Sequence, residues 1–275
     1  MKDPFYRNKV VLVTGASRGI GKEIVHQVLS AGGKVIATGR DLERLHHLVQ
    51  AFAAYQDRLI TCAGNVASYE DNRKVVETGL ARFGRIDIVF ANAGISGYGN
   101  LAETDPSADR EIIDINLFGC LFLAKACMPA LAQTKGSILF VSSIAGHHGI
   151  PAHAAYSLSK MALRGLSQAL SIEWRDAGIF VGIAYLGFTQ NDGTKTQLNP
   201  SGELEKVPPR PKWLTASREK TVRAMLRQVA KKKNALSYGT TGRTIEWMSR
   251  LFPGLLHAIM RYQYKKAPEV YDHHS

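Results

Sequence analysis

A strand-like apolar run passes directly into a glycine-rich loop near the start of the chain: Val10-Val11-Leu12-Val13-Thr14-Gly15-Ala16-Ser17-Arg18-Gly19-Ile20-Gly21. The residues from about Gly19 to Ala31 have the apolar spacing of a helix. In such a turn, glycines let backbone N–H groups close on a phosphate at the helix N-terminus, where the helix dipole favours anions. The glycines depart from the GxGxxG spacing, and three glycines alone are weak evidence. Their place in the first strand–helix unit makes this a candidate dinucleotide-binding loop.

The same alternation of strand-like runs and helical stretches continues along the chain. The predicted strands are 10–14, 34–38, 58–62, 86–91, 137–142, 180–184 and a short last one at 234–238. The predicted helices are 19–31, 42–55, 67–83, 108–131, 155–177 and 216–231. Alternation at this period means crossover connections between parallel strands. We therefore expect an α/β fold: a Rossmann-type doubly wound parallel sheet of about seven strands, with helices on both faces.

Length and composition favour one globular domain in a reducing compartment. At 275 residues, with 45% apolar and 21% charged residues, the chain can bury one large core. Its three cysteines, Cys62, Cys120 and Cys127, form no CxxC pair and have no histidine at ligand spacing, so we predict reduced thiols and no metal site. Residues 1–9 contain no apolar stretch of signal-peptide or membrane-span length. A cytoplasmic location is expected.

The formal net charge of +12 is concentrated at the C-terminal end. From residue 203 onward, fifteen Lys and Arg stand against six Asp and Glu. Such a field permits nucleic acid, an anionic membrane surface or an acidic ligand, although a solvated basic face is the simplest interpretation. The triple lysine at 231–233 has no interleaved aromatic residues and belongs to no recognisable reading module, so nucleic-acid binding is not predicted.

A tyrosine and a lysine stand four residues apart in a predicted helix, within Tyr156-Ser157-Leu158-Ser159-Lys160. Side chains at this spacing share one helix face, so the ammonium can lie beside the phenol and favour its ionised form. Ser143 lies thirteen residues before the tyrosine, just past the end of a predicted strand. A lone strand-end serine is usually structural, so only the whole constellation argues for catalysis.

Together these residues resemble the short-chain dehydrogenase/reductase family over roughly residues 8–240. The resemblance implies a single dinucleotide-binding catalytic domain over 1–240. The family's catalytic positions correspond to Asn116, Ser143, Tyr156 and Lys160. Its cofactor contacts correspond to residues in the loops after the strands: Gly15, Ser17, Arg18, Gly19, Ile20, Gly21, Arg40, Asn65, Val66, Asn92, Ala93, Gly94, Tyr156, Lys160, Gly187 and Thr189.

The resemblance also implies a mechanism. Hydride would pass from a nicotinamide to a carbonyl carbon while Tyr156 gives a proton to the developing alkoxide and Ser143 hydrogen-bonds the same oxygen. Lys160 would bind the nicotinamide ribose and lower the pKa of the tyrosine. Asn116 would hold a water molecule in the proton relay.

The second predicted strand ends in Ala37-Thr38-Gly39-Arg40, where an NAD-selective site usually presents an acid to the ribose hydroxyls. No acid stands there, and Arg40 and Arg18 can instead meet a 2′-phosphate. We therefore predict NADP(H) as the coenzyme.

Two positions near the coenzyme depart from the family pattern. Asn65 stands where the family commonly has an aspartate beside the adenine. The usual Pro-Gly after the sixth strand is Leu186-Gly187, so the threonine that typically meets the carboxamide is displaced, and either Thr189 or Asn191 takes that role. The surrounding segment, 185–214, is rich in Gly, Pro, Asn and Thr and is predicted to be a lid or a disordered loop.

The end of the chain, 241–275, is predicted to be a basic, amphipathic C-terminal extension. Apolar residues recur at helical spacing from Trp247 to Arg261, and Pro253-Gly254 is expected to separate two short helices. The extension either packs over the substrate pocket or at a subunit contact, or lies on a membrane with Lys265 and Lys266 at anionic headgroups. Its position beyond the minimal fold is similar to that in family members that reduce lipid-like ketones, including hydroxysteroid dehydrogenases and 3-ketosphinganine reductase.

The leading hypothesis is an NADPH-dependent reductase of an apolar ketone, or the reverse alcohol dehydrogenase. The alternatives are a 3-oxoacyl thioester reductase and a non-catalytic NADPH-binding sensor or scaffold. His147, His148 and His153 are expected to line or cap the pocket mouth rather than to bind metal. By resemblance we expect a homodimer or homotetramer.

Overall fold

The computed structural model describes residues 4–190, 193–208, 211 and 215–266. Its strands in chain order are β1 (Val10–Thr14), β2 (Lys34–Gly39), β3 (Leu59–Ala63), β4 (Ile88–Ala91), β5 (Ser96–Gly97), β6 (Ser137–Ser143), β7 (Phe180–Leu186), β8 (Thr196–Leu198), β9 (Leu204–Lys206) and β10 (Ala235–Ser237). Its helices are α1 (Gly19–Ser30), α2 (Leu42–Ala51), α3 (Tyr69–Phe83), α4 (Pro106–Ile113), α5 (Gly119–Thr134), α6 (Ala154–Glu173), α7 (Arg218–Ala230), α8 (Gly239–Leu251) and α9 (Pro253–Lys266).

Seven parallel strands form the central sheet, in the order β3-β2-β1-β4-β6-β7-β10. One face packs on α1, α2 and α7, and the other on α3, α5 and α6. Every residue of β1 is buried, because a central parallel strand is covered on both sides. The predicted doubly wound α/β fold is thus confirmed. Crossover at every step brings the carboxyl ends of the strands to one edge of the sheet.

The segment predicted to be a lid or a disordered loop contributes two strands to a second, smaller sheet. β8 and β9 form an antiparallel hairpin, and β8 also pairs in parallel with β5, at Ser96 with Gln197 and Gly97 with Leu198. Strands of two or three residues are too short to show a period-two pattern, so the sequence gives no signal for them. The hairpin therefore rests on the loop that follows β4.

The predicted helix at 108–131 is longer and interrupted. It starts at Pro106, where the Asp105 side chain accepts a hydrogen bond from the Ser107 N–H at 2.7 Å. A π-helical turn, Asp114–Phe118, then separates α4 from α5. The predicted helix at 42–55 ends at Ala51 and is followed by a 3₁₀ turn.

By length and composition, the helical segment Pro106–Thr134 is apolar enough to cross a membrane. Half of its most apolar window is buried within the fold, where α5 packs against the sheet and beside α3. These are the features of a core helix of a globular domain, so the segment is weak evidence for a membrane span.

One buried carboxylate, Asp87, joins the first residues of β1 and β4, at the edge of the sheet opposite the carboxyl ends of the strands. Its side chain is 2% exposed. It accepts hydrogen bonds from the Val10 N–H at 2.9 Å, from Lys9 Nζ at 3.1 Å and from Arg85 Nε and Nη2 at 3.0 and 2.6 Å. Burial alone would raise the pKa of Asp87, but the hydrogen bonds from Arg85, Val10 and Lys9 outweigh it and lower the pKa below its ordinary value of 3.8. This carboxylate therefore fixes β1 beside β4.

We predict that Asp87→Asn lowers the free energy of unfolding at pH 7 by roughly 1–3 kcal/mol, because an amide cannot accept all of these donors. A carboxylate with a depressed pKa stabilises the fold above its unfolded pKa, and this contribution is lost as pH falls through the folded pKa. The difference between the two proteins should therefore shrink below about pH 4. Urea unfolding at several pH values, with the exposed Asp57→Asn as control, measures it; a deficit that is independent of pH would contradict this account.

Candidate active site

The loop between β1 and α1 has the backbone geometry that only glycine adopts without strain. Gly15 and Gly19 have φ values of +61° and +55°. A Cβ atom at Gly21 would lie 2.1 Å from the carbonyl oxygen of Gly15, so no larger residue fits there. The N-cap residue of α1, Arg18, makes no side-chain capping hydrogen bond, whereas α2 and α3 are capped by Asp41 and Ser68. A helix N-terminus of this kind suits an anion.

The turn after β4 is tied to this glycine loop by two polar side chains. Thr14 Oγ1 accepts hydrogen bonds from the N–H groups of Asn92 and Ala93, both at 3.0 Å. Asn92 Nδ2 donates to the carbonyl oxygens of Thr14 at 2.9 Å and Gly15 at 3.3 Å. A Cβ at Gly15 would lie only 3.0 Å from Ala93 Cα, which shows how closely the two loops approach. Thr14 precedes the glycines and was not among the predicted site residues.

Asn116 lies on the π-helical turn and is fully buried. Its Oδ1 accepts from the Ile95 N–H at 2.8 Å, and its Nδ2 donates to the Ile95 carbonyl at 2.9 Å and to Ser159 Oγ at 3.1 Å. Ser159 Oγ in turn donates to the carbonyl oxygen of Tyr156 at 2.7 Å. The π turn directs this side chain at the start of α6, as such turns often do at functional sites. Ser159 is a link that the sequence analysis did not identify.

Lys160 is 5% exposed, and its Nζ donates to the Val141 carbonyl at 3.1 Å. The same atom lies 5.8 Å from the centroid of the Tyr156 ring. A Cβ at Gly94 would come within 2.9 Å of Asn116 Oδ1 and 3.2 Å of Lys160 Nζ. The predicted lysine, tyrosine, asparagine and Asn-Ala-Gly turn are thus brought together.

Ser143 ends β6 beside this group. Its Oγ accepts from the Ala145 N–H at 3.3 Å and so caps a 3₁₀ turn, Ile144–Gly146. The preceding residue, Ser142, donates through Oγ to the Lys160 carbonyl at 3.0 Å. That bond sets the end of β6, and with it Ser143, against the first turns of the helix that carries Tyr156.

A crevice that is open to solvent lies beside Tyr156. Its walls come from α4, β5, β8 and the start of α6, and Leu101, Ile112 and Leu198 supply most of the large apolar side chains. Thr104 Oγ1 donates to Asp109 Oδ2 at 3.0 Å on the same wall. The lining therefore suits a largely apolar molecule.

The two arginines predicted to meet a 2′-phosphate both have partners in the chain. Arg40 Nη1 lies 3.3 Å from Glu111 Oε1, with both side chains near half exposure. Arg18 donates to the Thr194 carbonyl and, at 3.1 Å, to Thr196 Oγ1, which joins the glycine loop to the β8–β9 hairpin. Separations of 71 and more than 170 residues leave no local signal for these contacts in the sequence.

The nearest acid after β2 is Asp41, and its carboxylate is engaged in the start of α2. It accepts from the Arg44 N–H at 3.0 Å and pairs with Arg44 Nε at 3.0 Å. Ser17 lies beside this strand end, since a Cβ at Gly39 would lie 3.6 Å from Ser17 Oγ. The strand end thus presents an arginine rather than a free carboxylate.

After β3, the predicted adenine-side residues form a tight turn. Asn65 Oδ1 accepts from the Ala67 N–H at 3.1 Å, and the Asn65 N–H donates to Asp71 Oδ2 at 2.9 Å. Val66 is nearly buried and packs so closely on Gly119 that a Cβ there would lie 2.9 Å from Val66 Cγ2. The asparagine that replaces the usual aspartate is therefore a local turn former.

After β7, Gly187 lies against the residue that joins β10 to α8, since a Cβ there would lie 2.8 Å from the Tyr238 carbonyl oxygen. Thr189 Oγ1 donates to the Gly187 carbonyl at 3.3 Å, and Thr189 pairs with Ala216 in a short parallel bridge. Of the two candidates for the carboxamide contact, Thr189 is placed in this way, and Asn191 lies outside the described residues. Ile20, in the first turn of α1, packs against the core.

The three histidines occupy different environments. His147 is buried behind the sheet end, with Nε2 2.8 Å from Ser237 Oγ and its ring centroid 3.9 Å from that of Tyr185. Burial lowers the pKa of His147. His148 meets His257 of α9 at 6.2 Å between ring centroids, and only His153 lines the crevice beside Tyr156.

Comparison with known proteins agrees with this geometry. A family model described as short chain dehydrogenase matches residues 9–201. Dehydrogenase/reductase SDR family member 7B from Danio rerio is 29% identical over 271 residues, which cover 96% of this chain and 88% of that protein.

Solved structures agree as well. A short-chain dehydrogenase from Streptomyces avermitilis superposes with a TM-score of 0.77 at 28% identity, covering 96% of this chain and 97% of that one. An alcohol dehydrogenase from Thermococcus sibiricus, complexed with 5-hydroxy-NADP, has a TM-score of 0.73 at 25% identity, covering 84% of this chain and 96% of that one. The matched motifs and the shared fold show that the chain is an oxidoreductase of the short-chain dehydrogenase family.

Proposed function

We propose that the protein uses NADP(H) to reduce the ketone of an apolar, lipid-like substrate, such as a steroid or 3-ketosphinganine, or to oxidise the corresponding secondary alcohol. The observation that carries the proposal is the meeting of Asn116, Tyr156 and Lys160, with Ser143 at the adjoining strand end, beside a largely apolar crevice. Membership of the family shows that the chain is an oxidoreductase. We propose the class of substrate and the coenzyme.

The residues present fit a nicotinamide dinucleotide. Gly15, Gly19 and Gly21 form a backbone cradle that a Cβ would fill, at a helix N-terminus suited to a pyrophosphate. Gly94 keeps the space beside Asn116 and Lys160 open. We assign the adenine side to the turn at 65–66 and the nicotinamide side to the turn at 187–189. When bound, the nicotinamide supplies or accepts the hydride.

The side chains around Tyr156 would manage the proton. Tyr156 donates its phenolic proton to the oxygen of the reacting carbonyl, and Ser143 Oγ hydrogen-bonds the same oxygen as negative charge develops. The Lys160 ammonium, held by Val141, lies near the phenol and favours its ionised form. Asn116 is immobilised by three hydrogen bonds next to Lys160, where it can position a water molecule that returns the proton.

We predict that Tyr156→Phe lowers kcat by at least about 10²-fold, because general acid catalysis contributes on this scale. NADPH binding, followed by nicotinamide fluorescence, should change little, since the variant loses only a hydroxyl. NADPH oxidation at 340 nm is measured with ketosteroids, 3-ketosphinganine, 3-oxoacyl thioesters and small ketones, and the exposed Tyr262→Phe serves as the matched control. Fastest turnover of thioesters would favour the 3-oxoacyl thioester reductase, and coenzyme binding without any turnover would favour the sensor.

The charged side chains after β2 support a preference for NADP(H) over NAD(H). Arg40 stands where the ribose of the adenosine would lie, and Asp41 is held by Arg44. The Arg40–Glu111 pair is half exposed, so its two partners separate at small cost when a phosphate competes for the guanidinium. The phosphate offers Arg40 a stronger, charge-assisted contact.

We predict that Arg40→Ala raises the KM for NADPH by roughly 10- to 100-fold, the range expected for a hydrogen bond to a charged group, and leaves the KM for NADH nearly unchanged. Glu111→Gln, which removes the competing carboxylate, should lower the KM for NADPH. Steady-state rates with both coenzymes measure this selectivity. Equal losses with NADPH and NADH in Arg40→Ala would contradict the proposed 2′-phosphate contact.

We further propose a homodimer formed through α6, the helix that carries Tyr156. Its outer face exposes the apolar side chains of Leu158, Met161 and Ile172, which are 57%, 44% and 76% exposed. Phe118, also exposed, lies on the neighbouring π turn. Apolar patches of this kind on a globular protein mark interaction surfaces. A homotetramer would need a second interface.

We predict that Met161→Glu converts the dimer to a monomer, because a charge would be buried in an apolar contact. Sedimentation velocity measures the change, with Leu42→Glu, at an exposed site on α2, as control. A monomeric parent protein, or an unchanged sedimentation coefficient in Met161→Glu, would refute this interface.

We also propose a cytoplasmic location and a catalytic domain over 1–240 followed by an extension over 241–275.

A further inference from the structure

The junction of α8 and α9 exposes a compact group of large apolar side chains. We call Trp247, Leu251, Phe252 and Leu255 the apolar elbow; each is between 46% and 58% exposed. The ring centroids of Trp247 and Phe252 are 5.2 Å apart, so these two aromatic side chains pack together. Phe252 ends α8 and Pro253 starts α9, which turns the chain at this point. Clusters of exposed apolar side chains indicate a surface that binds a membrane or another protein.

The inner faces of both helices are already packed on the catalytic domain. Gly242 of α8 is buried close to the backbone of Gly187 and to Ile144. Leu256 of α9 is 2% exposed. The elbow is therefore the outer side of an anchored helix pair, and the apolar residues on it are not required for the packing of the helices on the sheet.

Positive charge surrounds the elbow. The segment 239–266 contains one acid, Glu246, which pairs with Arg250 at 2.9 Å. The other cations of the segment are Arg243, Arg261, Lys265 and Lys266. Two copies of this surface brought together would place like charges opposite each other, which disfavours self-association. An anionic partner surface complements the charge.

We propose that the apolar elbow and its flanking cations bind the surface of a membrane that contains anionic lipids. The four apolar side chains enter the boundary between headgroups and acyl chains, while the arginines and lysines remain at the phosphates. Tyr262, exposed on α9 with the Lys266 ammonium 5.0 Å from its ring centroid, has the apolar body and polar tip that suit this boundary.

Binding in this way would place the site near the lipid. The contact between His148 and His257 sets α9 against the loop that follows Ser143. A lipid-like ketone could then pass from the bilayer to the crevice without crossing much water. Only this last step rests on the proposed function; the membrane contact itself does not.

The test is cosedimentation of the full chain with vesicles of phosphatidylcholine alone and of phosphatidylcholine mixed with phosphatidylglycerol. We expect binding to the mixed vesicles, weakened by salt, and a blue shift of tryptophan fluorescence as Trp247 enters the interface. The double variant Leu251→Ser/Leu255→Ser should lose about tenfold or more in partitioning, because two buried apolar side chains are removed. Leu42→Ser, which changes a more exposed leucine on α2, should bind as the parent does.

Three outcomes would overturn the proposal: no binding to mixed vesicles at low salt, equal binding by the double variant, or self-association without lipid that the double variant abolishes. The last would mean that a second copy covers the elbow. Turnover of a water-soluble ketone by the same samples is measured separately. An active double variant that fails to bind vesicles supports the membrane contact, whereas an inactive parent that binds vesicles counts against the proposed function alone.

Discussion

The site depends on one constraint, the close approach of the backbones at the carboxyl ends of β1 and β4. A Cβ atom at Gly15 would lie only 3.0 Å from the Cα atom of Ala93. A Cβ atom at Gly21 would lie even closer to the carbonyl oxygen of Gly15. Asn92 spans the two loops with hydrogen bonds to Thr14 and Gly15. Because the loops are locked together, a helix N-terminus suited to phosphate is held at a set distance from Gly94 and from the polar groups beyond it.

Those polar groups are positioned mainly by bonds to backbone atoms. Asn116 is held by Ile95, Lys160 by Val141, and α6 is held to β6 through Ser142. Buried polar side chains are costly unless they are satisfied, and each satisfied bond here also fixes a side-chain orientation. The same contacts that make burial tolerable therefore also fix the side chains to which we assign the proposed proton transfer.

The charged side chains at the edges of the site are held in place by contacts with distant parts of the chain. Arg18 holds the β8–β9 hairpin and Arg40 holds Glu111, so both arginines already have acceptors that a phosphate would have to replace or share. The proposed binding of a 2′-phosphate would therefore be a competition among acceptors, and the hairpin at the crevice is linked to the glycine loop between β1 and α1.

The sequence alone determined the doubly wound sheet and predicted the candidate catalytic residues, because period, glycine placement and the Tyr156–Lys160 spacing are local patterns. Tertiary structure decided what depends on contacts between distant residues. Contacts between segments tens of residues apart produce the pairing of the hairpin with β5, the partners of Arg18 and Arg40, the link from Asn116 to Ser159 and the burial of His147. No local pattern encodes them. The apolar spacing around Trp247 predicted two helices, but only packing showed which face is buried at Leu256 and which is left outside at the elbow.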